Sequence, residues 1–220
     1  AAVDRGWHCL CEKPFVLPST RGTELARRAA DAGLVVGVVH NFQFSRAASR
    51  LFDLLDRGRL GRIESVYGFQ LSNHRRRLPH WYRDLPGGLF LDETPHLLYL
   101  IRRVLGDLEP RMIDARLDGA EIRDLTATFE HESVWASLTV NFNASISEWQ
   151  FVVVGSESVA AVDLFRDILV VIPNDKGHTA RDVLRSSGAL LGGHLAGFAA
   201  SGLRMTRGRL SYGNDEVVAR

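Results

Sequence analysis

The chain has 220 residues, of which 45% are hydrophobic and 24% charged, and its formal net charge at pH 7 is +1. This composition is typical of a soluble globular protein and argues against a disordered chain. The near-neutral charge gives no reason to expect nucleic acid or an acidic membrane as a partner, and no apolar run is long enough to span a bilayer.

The two cysteines, Cys9 and Cys11, lie two residues apart in an apolar stretch. In a strand both side chains would point to one face, where a disulfide bond between them is poorly accommodated. We therefore expect free, buried thiols, and, because no signal peptide is apparent after Ala1, a cytoplasmic protein. The absence of a starting Met leads us to expect a fragment, a processed form or a truncated gene product.

Two strand patterns alternate with two helix patterns in the first part of the chain: strands at 8–11 and 34–39, helices at 23–32 and 45–57. Ser19 or Thr20 is the expected cap of the first helix and Ser45 that of the second. Both strands are expected to be buried, and the β-branched run of the second indicates a parallel sheet covered on both faces. This order is typical of a doubly wound α/β sheet.

From residue 59 onward strand patterns dominate. A long strand is predicted at 63–72, and a helix at 89–105 with Thr94 as an alternative start. Six further strands are then predicted, at 111–117, 126–130, 134–142, 145–154, 159–163 and 168–172. A final helix is predicted at about 179–204. Their short connections are typical of an antiparallel meander. The predicted fold class is therefore α/β (α+β), a partial Rossmann-like parallel sheet followed by an open, mainly antiparallel sheet with helices on one face.

The segment Cys11-Glu12-Lys13-Pro14 lies at the predicted end of the first strand. Ligands of open α/β sheets bind beyond the carboxyl ends of the strands. A lysine there can hydrogen-bond a substrate hydroxyl or share in moving its proton. On these residues alone, a solvent-facing lysine at a turn is the alternative.

A second polar signal runs from Gly87-Gly88 to Asp92 and His96. Residues four apart share one face of a helix, so the carboxylate could orient the imidazole and support its charged form. The glycine pair allows backbone to approach a ligand closely. A capping Asp beside a structural His is the alternative.

Together, the segments 6–14, 37–44 and 81–106 resemble the Gfo/Idh/MocA family of sugar- and inositol-type dehydrogenases. The resemblance rests on Glu-Lys-Pro, on the strand with its Asn and Phe, and on the series Trp, Gly-Gly, Asp, His and leucine-rich helix. It implies an oxidoreductase that transfers a hydride between NAD or NADP and a secondary alcohol of a sugar, polyol or related small molecule. It also implies a homo-oligomer formed through the open sheet.

In these terms, residues 1–58 correspond to the remnant of a dinucleotide-binding Rossmann domain, and residues 59–220 to a substrate-binding and oligomerisation domain. The catalytic positions implied by the resemblance are Lys13, His96 and Asp92. Lys13 matches the lysine near the nicotinamide ribose and the reacting hydroxyl, and His96 the proton-transfer residue. Asp92 matches the carboxylate that binds substrate and orients the histidine.

The remaining implied positions line the two pockets. Glu12, Pro14 and Asn41, with Lys13, match the cofactor pocket, while Trp81, with Asp92 and His96, matches the substrate pocket. No metal is expected, because the histidines and cysteines lack a ligand spacing.

The sequence departs from the family pattern at Gln43, Thr94 and Tyr99, where arginine, glycine and aspartate are common. No Gly-x-Gly-x-x-Gly precedes Lys13, and that turn binds the pyrophosphate of a dinucleotide. We therefore expect this chain to bind NAD(P) poorly. The alternative is a truncated non-redox protein, such as a binding module, a lyase or an isomerase, that reuses the same domain.

A basic loop, Arg75-Arg76-Arg77, follows the long predicted strand. Its guanidinium groups could steer a phosphorylated or carboxylated substrate, since arginine pairs well with both groups. A solvated loop is the alternative.

Overall fold

The computed structural model describes residues 2–78, 80–175 and 177–212. Within them the strands are β1 (Cys9–Glu12), β2 (Val36–Val39), β3 (Ile63–Asn73), β4 (Glu109–Asp118), β5 (Glu121–His131), β6 (Val134–Ala144), β7 (Glu148–Gly155), β8 (Ser158–Asp163) and β9 (Ile168–Pro173). The α-helices are α1 (Ser19–Asp31), α2 (Arg46–Asp56), α3 (Leu89–Glu93), α4 (Pro95–Leu105) and α5 (Ala180–Tyr212). Short 3₁₀ helices occur at Val3–Arg5, Asn41–Phe44 and His80–Asp84.

A small parallel sheet is formed by β1 and β2, with Cys9 opposite Val36 and Glu12 opposite Val39. The crossover between the strands contains α1, as a parallel connection requires. The carboxyl ends of both strands meet at one edge, so Lys13, which follows β1, and His40, which follows β2, leave the sheet on the same side.

The burial predicted for these two strands is wrong. Leu10 is 74% exposed and Val35, directly before β2, is 64% exposed. A parallel strand is buried on both faces only where layers cover both faces, and the described residues do not cover this side of the small sheet. Cys9 and Cys11 are free, half-buried and on one face, with their Sγ atoms 3.9 Å apart.

The caps of the first two helices differ in outcome. Ser45 caps α2 as predicted, since its Oγ accepts a hydrogen bond from the backbone N–H of Ala48. The predicted cap of α1 is wrong, because Pro18 is the extended residue before the helix and Ser19 is already helical.

The large sheet has seven strands in the order β4-β5-β6-β3-β7-β8-β9. All neighbours are antiparallel except β3 and β6, which are parallel. The predicted meander is therefore interrupted, because β3 lies in the middle and separates β4–β6 from β7–β9. The predicted fold class, a small parallel sheet with a larger, mainly antiparallel one, is confirmed.

One face of the large sheet carries the hydrophobic core. Burial alternates along β3, and buried Val66 shares one cluster with Leu51 of α2 and Leu97 of α4. Gly68 lets α4 approach, since a Cβ at this position would lie 3.4 Å from that of Leu97. On the opposite face the large side chains are exposed: Tyr67, Phe69 and Trp135.

The long helix α5 lies against β9. A Cβ on Gly193 would lie 2.9 Å from Val170, and one on Gly197 would lie 2.5 Å from Ile168. These two β9 side chains point away from the face that holds Leu169 and the core, because side chains alternate along a strand. The expected placement of helices on one face therefore describes α2 and α4 but not α5, whose glycines allow it to pack on the other face. Among the described residues, no helix is both long enough and apolar enough to cross a membrane.

Candidate active site

Lys13 joins the two parts of the molecule at the carboxyl end of β1. Its Nζ donates to the backbone carbonyl oxygen of Asp92 at 2.6 Å and forms an ion pair with Oδ1 of the same residue. The two side chains are only 17% and 16% exposed. Since an ammonium group has three N–H donors, one remains for a ligand.

The position of Asp92 depends on the glycine pair before α3. Gly87 and Gly88 have φ angles of +74° and +62°, a region that glycine adopts without steric strain. The carbonyl oxygen of Gly87 accepts a hydrogen bond from the backbone N–H of Ile122 on β5 at 3.3 Å. This turn therefore anchors α3 to the large sheet and directs Asp92 towards Lys13.

His96 lies in the first turn of α4 and is enclosed by aromatic rings. Its ring stacks on that of Phe42, with 4.4 Å between centroids and 16° between planes, and the ring of Trp149 lies 5.8 Å away. The residue is 6% exposed. Burial, reinforced by the positive charge of Lys13, lowers the pKa of His96 to about 4. The imidazole is therefore neutral at neutral pH.

Tyr99, one helical turn after His96, completes this cluster. Its Oη lies 2.8 Å from Nδ1 of His96 and accepts a hydrogen bond from the backbone N–H of Phe42 at 3.0 Å. The ring of His40 stacks on that of Tyr99, with 4.2 Å between centroids. Burial raises the pKa of Tyr99 and lowers that of His40, so both groups are neutral at neutral pH.

Three expected site residues, Lys13, Asp92 and His96, are brought together, and the charges of the first two act on the imidazole of the third. The expected contact between Asp92 and His96 is replaced by two others. The Asp92 carboxylate is bonded to Lys13, whereas the imidazole is held by Tyr99. Sequence reasoning missed this partner, although the i, i+3 spacing of His96 and Tyr99 places them on one helix face.

The other expected residues divide into two groups. Glu12, Pro14 and Asn41 lie at the carboxyl ends of β1 and β2, beside the residues that enter the cluster. Trp81 lies in the 3₁₀ helix His80–Asp84 and is 49% exposed. It is not among the described residues that form hydrogen bonds or ring contacts with His96, Asp92 or Lys13.

A buried polar network lies directly behind Asp92. Oε2 of Glu93 accepts hydrogen bonds from Gln70 at 2.6 Å and from Ser72 at 3.1 Å, and Oε1 is paired with Arg76. Burial raises the pKa of Glu93, although Arg76 opposes the shift. In the basic loop, Arg76 is thus committed to Glu93, while Arg75 and Arg77 remain exposed.

The residues at the strand ends are better suited to bind a ribose of a dinucleotide than its pyrophosphate. Lys13 and Asn41 are polar groups suited to a ribose. The two turns that follow β1 and β2, residues 13–18 and 40–45, contain no glycine, and Pro14 and Pro18 lack an N–H group. At the start of α2, the N–H groups of Ala47 and Ala48 are bonded to Asp167 and Ser45. These turns therefore do not provide the backbone cradle that a pyrophosphate needs.

The described residues hold no group of three or more His, Cys, Asp or Glu side chains that could bind a metal ion. The polar chemistry of this cluster therefore rests on an ammonium group, a carboxylate and a neutral imidazole.

The fold and the cluster define a class: a short parallel strand pair whose carboxyl ends face polar residues of an open-sheet domain. Residues 49–161 match the GFO/IDH/MocA C-terminal domain, and the chain belongs to this family.

The chain matches only part of the length of its curated relatives. A 1,5-anhydro-D-fructose reductase of Ensifer adhaerens is 33% identical over 110 residues, which are 49% of this chain and 33% of that protein. A D-xylose dehydrogenase of Paenarthrobacter nicotinovorans is 31% identical over 116 residues, 49% of this chain and 30% of that protein. The matched region thus spans about a third of these curated relatives.

Solved structures share the fold. An NAD binding oxidoreductase from Klebsiella pneumoniae superposes with a TM-score of 0.72 at 22% identity, covering 80% of this chain and 53% of the other. A levoglucosan dehydrogenase in complex with NADH and L-sorbose gives a TM-score of 0.71 at 18% identity, with the same two coverages.

Proposed function

We propose that this chain is part of an oxidoreductase that transfers a hydride between NAD or NADP and a secondary alcohol of a sugar, polyol or related small molecule. The observation that carries the proposal is the cluster of Lys13, Asp92 and His96 at the carboxyl ends of the parallel strands. The names of the relatives, a sugar reductase and a sugar dehydrogenase, support the same class of reaction.

Each group of the cluster has a role in this proposal. Lys13 has a free N–H donor for a substrate oxygen and, together with His96, handles the proton of the reacting hydroxyl. Asp92 holds Lys13 and binds substrate hydroxyls. The pocket for the nicotinamide ribose is shaped by Lys13 together with Glu12, Pro14 and Asn41. Trp81 lines the substrate side. The nicotinamide, when bound, supplies or accepts the hydride.

In domain terms, residues 1–58 are proposed as the remnant of the dinucleotide-binding domain, and residues 59–220 as the substrate-binding and oligomerisation domain. The turns after β1 and β2 favour a second candidate for the chain by itself, because they lack a pyrophosphate cradle. It is a non-redox protein, such as a binding module, lyase or isomerase, that reuses Lys13 and His96.

The proposal is tested by NAD(P)-dependent turnover of aldoses, anhydrosugars and inositols, measured on this chain and on any longer product of the same gene. Lys13→Ala and His96→Ala are each expected to lower kcat/KM at least about 100-fold, a usual contribution of a proton-transfer group. Arg27→Ala, in an exposed ion pair on α1, serves as the control. Unchanged turnover in both site variants would contradict the proposal.

We also propose a homo-oligomer formed through the open face of the large sheet, in a reducing cytoplasm. Tyr67, Phe69 and Trp135 are exposed there on neighbouring strands, and exposed apolar patches mark association surfaces. Trp135→Glu is expected to shift sedimentation of the protein towards the monomer, whereas Leu184→Glu on α5 leaves it unchanged. An assembly unaffected by Trp135→Glu would contradict this interface.

A further inference from the structure

The hydroxyl group of Tyr99 lies between a fixed donor and the imidazole of His96. The backbone N–H of Phe42 points at Oη from 3.0 Å, and a backbone N–H can only donate. Nδ1 of His96 lies 2.8 Å from the same oxygen. A phenol has a single proton to donate, so the contact with His96 has two possible polarities.

The polarities differ in whether the phenol proton has an acceptor. If Nδ1–H donates to Oη, that oxygen accepts two bonds and no other described residue accepts the phenol proton. Tyr99 is 8% exposed, so a proton left without an acceptor disfavours this arrangement by roughly tenfold or more. The stacked ring of His40 lies over the face of Tyr99, with 14° between planes, and so is not in line with the O–H bond.

In the other arrangement every polar atom of the contact is used. Oη–H donates to Nδ1, and Oη accepts from Phe42. Burial raises the pKa of Tyr99, which keeps the phenol protonated and able to donate. A neutral imidazole that accepts at Nδ1 carries its proton on Nε2.

The Nε2 side of the ring is the side available to a ligand. Among the described residues, none forms a hydrogen bond with Nε2. The atom nevertheless keeps some accessible surface, since it is not one of the buried polar atoms that lack a partner. The titratable groups around the ring are Lys13, Asp92, His40 and Tyr99.

We propose that Tyr99 is a positioning residue that holds His96 in its Nε2–H form, so that His96 offers a hydrogen-bond donor, and not a base, to the substrate oxygen. The identity of that oxygen rests on the proposed function, whereas the tautomer does not. A neutral histidine that polarises a carbonyl group is established enzyme chemistry.

This polarity refines the proposed function: Lys13 alone transfers the proton, in place of a transfer shared with His96, and His96 donates a hydrogen bond. In the direction of carbonyl reduction, a bound reduced nicotinamide would supply the hydride for the new C–H bond, and the C=O π pair would move to oxygen. That oxygen takes a proton from Lys13, whose N–H bond breaks and whose amine stays bonded to Asp92. His96 meanwhile stabilises the oxygen through its Nε2–H group.

The test is the tautomer of His96 in the 220-residue chain, read by long-range ¹H–¹⁵N NMR at pH 7, with the signal assigned by its loss in His96→Gln. We expect a pyridine-type ¹⁵N shift at Nδ1 and a pyrrole-type shift at Nε2. The reverse pattern, or a doubly protonated ring, would overturn the proposal whether or not Tyr99 variants fold.

Tyr99→Phe removes only the hydroxyl and is expected to move the Nδ1 shift or mix the tautomers. Tyr67→Phe, on the open face of the sheet, is the matched control and is expected to leave the His96 signals in place. A folded Tyr99→Phe protein with unchanged shifts would show that Tyr99 does not set the tautomer. The NMR result needs no substrate, so failure of the proposed oxidoreductase activity is a separate outcome.

Discussion

At the scale of single residues, burial of His96 ties the stability of the protein to pH. Its pKa is about 4 in the folded protein against an ordinary 6.5. Between these values the unfolded chain binds the proton more strongly, so stability is present above pH 6.5 and is lost as the pH falls towards 4.

We expect the free energy of unfolding to fall by about 3 kcal/mol more between pH 6.5 and pH 4 in the native sequence than in His96→Gln. Urea unfolding at a series of pH values measures this difference. His194→Gln, at an exposed position on α5, is the matched control and should follow the native sequence. Parallel curves for native protein and His96→Gln would refute the assignment.

The ion pair of Lys13 and Asp92 is the second residue-scale feature with a measurable effect. Asp92→Asn leaves a largely buried ammonium without its counter-charge, so we expect a loss of about 2–3 kcal/mol in unfolding free energy. Asp31→Asn breaks an exposed pair with Arg27 and should cost less than about 0.5 kcal/mol. Equal effects of the two substitutions in urea unfolding would contradict the burial of the first pair.

The residues of the cluster were predictable from sequence, but their contacts were not. Lys13 and Asp92 stand out by their motifs, yet they are 79 positions apart, and only the folded chain brings Asp92 of α3 to the lysine that follows β1. Asp92 and His96 share a helical spacing, which suggested a contact that Tyr99 makes instead. Sequence spacing indicates which side chains can be in contact, whereas tertiary packing determines which of them are.

At the scale of elements, the ends of α1, α2 and α4 were predicted well because glycine marks them locally, whereas the last helix extends to Tyr212, beyond its predicted end at about 204. Gly33 and Gly58, both with positive φ, follow α1 and α2 by two residues, and Gly106 follows α4 directly. The strand pairing was less accessible: nothing in β3 itself indicates that it pairs in parallel with β6. Burial of β1 was also mispredicted. The apolar residues of a strand show that it can be buried, but they do not show whether another layer packs on it.

The glycines of α5 give a prediction at the same scale. Gly197→Ala would place a methyl group against Ile168, so we expect a loss of about 1–2 kcal/mol from overpacking. Gly192→Ala meets no atom within 4 Å and should instead stabilise the protein by about 1 kcal/mol through helix propensity. Thermal unfolding of both variants distinguishes them, and two shifts of the same sign would contradict the packing of α5 on β9.

At the scale of the whole molecule, the open-sheet part encloses a buried core, whereas the turns beside Lys13 lack a phosphate cradle. We therefore expect the 220-residue chain to show no saturable binding of NADH or NADPH at micromolar concentrations in a fluorescence titration. Lys13→Ala is the companion variant and should give the same flat curve. Saturation in the native chain that is lost in Lys13→Ala would contradict the expectation and place a dinucleotide beside β1.

The central position of β3 also bears on how the chain folds. The strand is made early, but its two neighbours, β6 and β7, are separated from it by α3, α4 and several strands. The sets β4–β6 and β7–β9 can each pair locally, whereas the insertion of β3 must close long loops, which is slow. We therefore expect the docking of β3 between β6 and β7 to be the last step in assembling the sheet, the step that brings Val66 and Leu97 into one core cluster.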